Sequence, residues 1–304
     1  HPNFYFAPAT GQLSSKHPSA VIIPKHGPSA NGFRRCLRTP GRVMVEFDFK
    51  SFHAMTLGFE ANCPAYMRAA GLDIHSLVSG ECFKIHRMDQ ILGRSDQEIR
   101  EYCEWYKSDP ARKHHRDKKA KPAILGIGFG LGDRKLFMMN RDSFANLREA
   151  QMVKEVIKGL FPEIFTFQEN IRRLATKQCH LISRWGYIRW FWAMERYDTH
   201  RRVMVPGEDS EAAIAFLPAN DAFGVIRAVI VELARLGLDE KFSLVNTIHD
   251  SLIFNPLPEQ VDELIAEVKP IMEQPWTRLI SEIVPDGLVC RVDVARGESL
   301  GEME

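Results

Sequence analysis

The sequence lacks several features, and each absence narrows the reading. Its six cysteines (Cys36, Cys63, Cys82, Cys103, Cys179 and Cys290) form no close CxxC pair. A structural zinc site is therefore not expected, and free thiols in a reducing, intracellular (cytoplasmic) setting are. No uninterrupted run of about 18 apolar residues occurs, and the opening has no signal-peptide shape. Neither a membrane span nor a membrane partner is expected. No internal repeat or low-complexity segment is present. Net charge is also small: 40 Lys and Arg against 39 Asp and Glu leave +1. A balanced sum excludes little, because distribution matters more than total. The distribution is uneven, with RKHHRDKKAK at 112–121 and a more acidic carboxy-terminal part. The 304 residues suffice for one large domain or two lobes. The chain opens on His1 rather than Met, so it is expected to be a portion of something longer.

Residues 1–42, rich in Pro, Gly, Ser and His, read as irregular backbone with short strands. VMVEFDF (43–49) reads as a strand ending at an acid, and SFHAMTLGFEA after it as the start of a helix. Helical periodicity covers 88–107. One or two helices, broken around Gly159 and Pro162, cover 143–179. HLISRWGYIRWFW (180–192) reads as a hairpin-like aromatic patch. A long helix covers 211–236. Two short strands meet at a turn around His249 and Asp250. A helix with an acidic first turn runs from Pro258 to Met272, and LVCRVDV (288–294) is a final strand. Acid-bearing strands thus flank a mostly helical block, which predicts an α+β fold with one sheet-based lobe interrupted by a helical insertion.

Asp48 ends an apolar strand and Asp250 sits at the turn of an apolar hairpin. A buried, unpaired carboxylate is expensive, and two held close together raise at least one pKa. A pair of magnesium ions relieves that repulsion and supports phosphoryl chemistry. The competing reading is two unrelated structural acids, one capping a helix after its strand.

Lys121, Arg134 and Lys135 bracket PAILGIGFGLGD. If 118–129 is helical, Lys121, Leu125 and Phe129 share a face at i, i+4 and i+8. That face offers a charge, an apolar surface and a ring, which suits a nucleotide's phosphate, sugar and base. The GKS/T ending of a Walker loop is missing. Gly126, Gly128 and Gly130 are costly in a helix, and close approach of a ligand would justify them. A basic loop followed by a glycine-flexed packing helix is the other reading.

Four separated stretches, in order, resemble family A DNA polymerases, the bacterial DNA polymerase I type and its phage counterparts. ATGQLSSKHPSAVIIP (9–24) resembles the segment that contacts the primer–template duplex, VEFDFKSFHAM (45–55) motif A, KPAILGIGFGLGDRK (121–135) motif B, and IHDSLIF (248–254) motif C. DIHSL (73–77) resembles a fingers element, and RVDVARGESLGEM the end of the palm. The resemblance implies a right-hand fold whose antiparallel-sheet palm is interrupted by a mostly helical fingers domain, with no thumb in this stretch. The implied domains are palm at 1–58 and 201–304 and fingers at 59–200.

It also implies a DNA-directed DNA polymerase that transfers nucleotides from dNTPs to a primer 3′-hydroxyl. The implied partners are DNA primer–template and dNTP, with an upstream thumb and exonuclease region, or a partner subunit, supplying the rest. Two Mg²⁺ ions, with Mn²⁺ as substitute, would be held by Asp48, Asp250 and the Phe49 carbonyl. Asp48, Asp250 and Lys121 are the implied catalytic residues. Phe49, His53, Arg116, Lys121, Leu125 and Phe129 would meet the nucleotide. Thr10, Gln12, Ser14, Ser15, Asn220 and His249 would meet primer–template. Localisation would be that of a cell, or of the host cell for a phage protein.

The departures from the family pattern concern sugar and duplex contacts. Gln12 stands for an arginine, His53 for a glutamate that helps exclude a 2′-hydroxyl, Leu125 for Phe or Tyr, and Phe129 for a tyrosine. Ser251 stands for the glutamate after the motif C aspartate, and Asp117 for the arginine four residues before Lys121. Single-subunit RNA polymerases also carry His-Asp-Ser in motif C. Two alternatives therefore stay open, a catalytically weak primer–template-binding homologue and an enzyme using rNTPs; a third, a metal-dependent nuclease, is favoured by the paired acids alone.

Overall fold

The computed structural model describes residues 3–6, 13–16 and 30–303. The chain divides into two compact units. One comprises the described parts of 1–52 together with 220–304, and the other is 53–219.

The first unit opens with a hairpin of β1 (Asn3–Phe6) and β2 (Leu13–Lys16). Helix α1 (Ala30–Cys36) follows, inside a stretch whose Pro and Gly content predicts irregular backbone. Its end is tied down from far along the chain, because the Leu300 N–H donates to the Leu37 carbonyl. Strand β3 (Met44–Phe49) comes next. Strand alternation puts Val45, Phe47 and Phe49 on one face, all buried. The Phe49 ring stacks on Phe52 at 4.3 Å.

The second unit is mostly helical, beginning with α2 (Phe52–Glu60), α3 (Pro64–Leu72), α4 (Ile74–Cys82), α5 (Met88–Leu92) and α6 (Asp96–Ser108). The helix expected over 88–107 is therefore two helices. The break is chemical. Ser95 accepts from the Glu98 N–H, and the Glu98 carboxylate accepts from the Ser95 N–H, a reciprocal cap that starts α6 afresh. Helix α7 (Pro110–His115) runs through a π-helical turn at Arg116–Ala120 into α8 (Lys121–Gly128), followed by α9 (Asp133–Met139). Helices α10 (Leu147–Leu160) and α11 (Pro162–Gln178) separate at Phe161, where the following proline disfavours helical backbone.

Two ribbons close this unit, β4 (His180–Ile182) with β5 (Ile188–Trp190), and β6 (Glu195–Asp198) with β7 (Val203–Pro206). Its core is one cluster that includes Leu57, Tyr66, Ile74, Ile124, Ile127 and Phe161.

Helix α12 (Asp209–Arg235) carries the chain back into the first unit. It is long and apolar enough to cross a membrane, with mean hydropathy 1.6 over an 18-residue window. This differs from the expectation because sparse charges, not an unbroken apolar run, produce the value. Two-thirds of that window (67%) is buried in the protein, as in a core helix. The chain then forms α13 (Leu238–Lys241), β8 (Leu244–Ile248), β9 (Ser251–Phe254), α14 (Val261–Met272) and β10 (Val292–Gly297). The last strand starts later than expected, since Leu288 bridges to Trp276 instead. Strands β10, β3, β9 and β8, in that order, make one antiparallel sheet. The fold is thus α+β with an antiparallel sheet, and the six cysteines are free thiols.

Candidate active site

The sheet brings the two candidate acids together. Asp48 lies opposite Ser251 on β9 and opposite Asp293 on β10. Asp250 directly precedes β9, and its carbonyl accepts from the Phe49 N–H at 3.5 Å. Asp48 and Asp250, distant in sequence, therefore sit at adjacent strand ends, and both are half-buried. The link between β8 and β9 is His249 and Asp250 alone, with His249 left-handed at φ 56. Because Asp250 belongs to this turn, strand alternation does not fix its side chain to one sheet face. The Ser251 hydroxyl donates to the Ile248 carbonyl at 3.0 Å, so it braces the hairpin.

Asp293 is an acid that the sequence reading left out. Like charges directly opposite on neighbouring strands repel, and Lys50 answers Asp293 at 2.7 Å. Among the described residues no group of three or more His, Cys, Asp or Glu converges on a metal position. A magnesium ion commonly takes one or two protein carboxylates and fills its other positions with water and phosphate oxygens. Two carboxylates at adjoining strand ends fit that hard cation.

In the helical unit, α8 begins at the exposed Lys121, and Leu125 is exposed one turn on. Phe129 ends the helix and meets His53 edge-on at 6.4 Å. These two predicted nucleotide residues are thus neighbours. The glycines of this stretch answer to the protein rather than to a ligand. A Cβ on Gly126 would meet Leu131 at 2.7 Å, and one on Gly128 would meet Leu57 at 2.8 Å. Gly130 has φ +88, a conformation costly for other residues. The Gln168 amide donates to the carbonyls of Ile127 and Gly128 at 2.7 and 2.9 Å, closing the end of α8.

Arg116 is heavily engaged. Its guanidinium bonds both carboxylate oxygens of Asp73 at 3.1–3.2 Å, the Ser76 hydroxyl at 3.1 Å, and Asp117. Asp73 in turn caps α4 by accepting from the Ser76 N–H. His75, beside this group, is a second residue absent from the predicted set, although DIHSL signalled it. Its Nδ1 is buried with no hydrogen-bond partner among the described residues. Burial pushes its pKa down to about 4. Asp73 opposes the shift, while Arg116 and Lys121 reinforce it.

The sign follows from that depression. As pH falls below the ordinary 6.5, the unfolded chain takes a proton at His75 that the folded chain refuses until about 4, so stability is lost across that window. Melting temperature between pH 7 and 4.5 should fall more steeply for the native chain than for His75→Gln. Equal slopes would contradict the assignment.

Of the duplex-binding candidates, His249 is exposed and Asn220 is fully buried in α12. Ser14 and Ser15 lie in β2, opposite Tyr5 and Phe4. Thr10 and Gln12 lie outside the described residues.

No family model matches the chain. Among curated proteins, DNA polymerase I of Rhizobium leguminosarum is 22% identical over 286 residues, covering 91% of this chain and 25% of that protein. The chain thus spans a quarter of that relative's length. Among solved structures, the POL domain of Pol1 from M. smegmatis, in complex with DNA primer-template and dNTP, superposes with a TM-score of 0.74. That likeness covers 99% of this chain and 48% of the other, at 19% identity. The chain has the fold of a DNA polymerase I POL domain. The family A resemblance read from four short motifs is therefore supported by overall sequence likeness and by fold. The candidate motif A and motif C acids are those that the sheet places at adjoining strand ends.

Proposed function

We propose that this chain is the polymerase module of a template-directed DNA polymerase, its sheet unit the palm and its helical unit the fingers. The observation that carries the reading is the register that seats Asp250 beside Asp48 in a fold like that of a POL domain. In this reading Asp48, Asp250 and the Phe49 carbonyl hold two Mg²⁺ ions, with Mn²⁺ as substitute. When bound, such ions stabilise charge on the transferring phosphoryl group and favour ionisation of the attacking 3′-hydroxyl.

The remaining work belongs to the side chains. Lys121, exposed at the start of α8, supplies a point charge for the triphosphate. Leu125 and Phe129 present apolar surface to sugar and base. His53 holds the Phe129 ring edge-on and stands where sugar selection is decided. His249, exposed at the tip of the hairpin, supports the primer end. Arg116 acts on the nucleotide indirectly, because Asp73 and Asp117 hold its guanidinium. The primer–template and dNTP of the M. smegmatis complex are the partners proposed here.

Ser251 and His53 favour one second reading, an enzyme that uses rNTPs. The two separate in a primer-extension assay with each nucleotide type. Incorporation of dNTP with release of pyrophosphate is expected. Incorporation of rNTP alone would replace this reading with the second.

A further inference from the structure

The β4–β5 ribbon presents aromatic surface that the polymerase reading leaves unused. Cross-strand register puts His180 opposite Trp190 and Ile182 opposite Ile188, so these four share a face. Ile182, Ile188 and Trp190 are each more than half exposed, and Trp192, just beyond, is 76% exposed. Trp190 and Trp192 stack at 5.3 Å with planes 5° apart, and His180 lies 4.9 Å from Trp190. The opposite side is anchored, with Leu181 and Phe191 buried and Phe191 edge-on to Phe216. The Asp209 carboxylate accepts from both the Trp192 and Ala193 N–H groups at 2.8 Å, which fixes the backbone beneath the outer ring. The rings are therefore held in place by the fold while facing water.

Large exposed aromatic surface on a rigid support marks an interaction site. The charge around it points to the partner. Between Asn170 and Met194 the chain has five Lys or Arg and no Asp or Glu. Arg184 is spent on Glu60 at 2.9 Å, and Arg189 lies over Phe191 at 5.0 Å. Arg173 and Lys177 are exposed on the last turns of α11, which leads into β4. Asp209 and Glu60 are the acids beside it, Asp209 held by the backbone N–H groups of Trp192 and Ala193 and Glu60 by Arg184. Stacking rings with exposed cations on the adjoining helix are the combination that grips unpaired nucleic acid, since every base has a face to stack and every nucleotide a phosphate.

We infer that the His180–Trp190–Trp192 ladder is a platform for unpaired bases of a single-stranded nucleic acid, with Arg173 and Lys177 as phosphate contacts. The inference deepens the polymerase reading and rests on it for the source of that strand. The probe is fluorescently labelled oligothymidylate, its binding to the native chain followed by anisotropy. The double variant Trp190→Ala, Trp192→Ala should weaken binding roughly tenfold or more. Trp192→Phe, which keeps a ring, should retain most of the affinity and guards against loss through misfolding. Extension of a primer on a template with a one-nucleotide overhang should be unchanged in both.

Equal affinity of the native chain and the double variant would overturn the platform. So would self-association in sedimentation that the double variant abolishes while oligonucleotide binding persists. Tryptophan-dependent binding by a chain that extends no primer would leave the platform standing and remove the polymerase reading.

Discussion

Asp48→Asn and Asp250→Asn should each lower metal-dependent primer extension by roughly a thousand-fold or more, several kcal/mol of transition-state stabilisation. The substitution keeps shape and removes charge. It should therefore leave folding intact and remove the ability of adjoining strand ends to hold a hard cation. Asp48 lies directly opposite Asp293 across β3 and β10, and Asp293 is paired with Lys50 at 2.7 Å. The inactive Asp48→Asn chain should melt close to the native temperature. Loss of activity with no loss of stability is the pattern expected of a site kept for function at some cost to the fold. Near-normal extension rates in either variant would show that the paired acids are structural.

The second large effect separates two cations that the sequence places five residues apart. Arg116→Ala should destabilise the helical unit by up to about 3 kcal/mol, because it removes the two-point partner of a partly buried carboxylate and leaves it Ser76 and the more distant Lys107. The side chains of Arg116 and Asp73 are only 19% and 10% exposed, and Asp73 is also the cap of α4. Lys121→Ala should leave the melting temperature nearly unchanged, as befits an exposed residue. Its effect should instead appear as a fall of about a hundred-fold in kcat/KM for the nucleotide. Thermal melts and steady-state extension on the two variants check both halves. If Arg116→Ala melts normally and only raises KM, the guanidinium serves the triphosphate directly and the account of its pairing is wrong.

The parts of the fold that were legible are those governed by local rules. Alternating apolar residues announced β3, Pro162 announced the break between α10 and α11, and the motif C segment announced a hairpin turning at His249 and Asp250. Tertiary contacts decided the rest. Helix α1 forms in a Pro- and Gly-rich opening. The serine–glutamate cap splits the segment from Met88 to Ser108 although its apolar period runs on. The glycines around α8 read as room for a ligand, yet Leu57 and Leu131 lie where a Cβ would go.

The site divides in the same way. Asp48 and Asp250 stood out as acids in apolar settings, but only strand register shows that Asp250 meets Phe49 and that Asp293 faces Asp48. The contact between His53 and Phe129 and the lock of Arg116 onto Asp73 join residues far apart in the chain. No periodicity encodes such pairs. Asn220, placed by motif position alone, proves buried.

The most direct test of the central claim is single-nucleotide incorporation by the native chain on four primer–templates that differ only in the templating base. Each template should select its complementary dNTP, with pyrophosphate released, and the reaction should stop when EDTA removes divalent cation and resume with Mg²⁺ or Mn²⁺. Incorporation indifferent to the templating base, or undiminished by EDTA, would contradict the account.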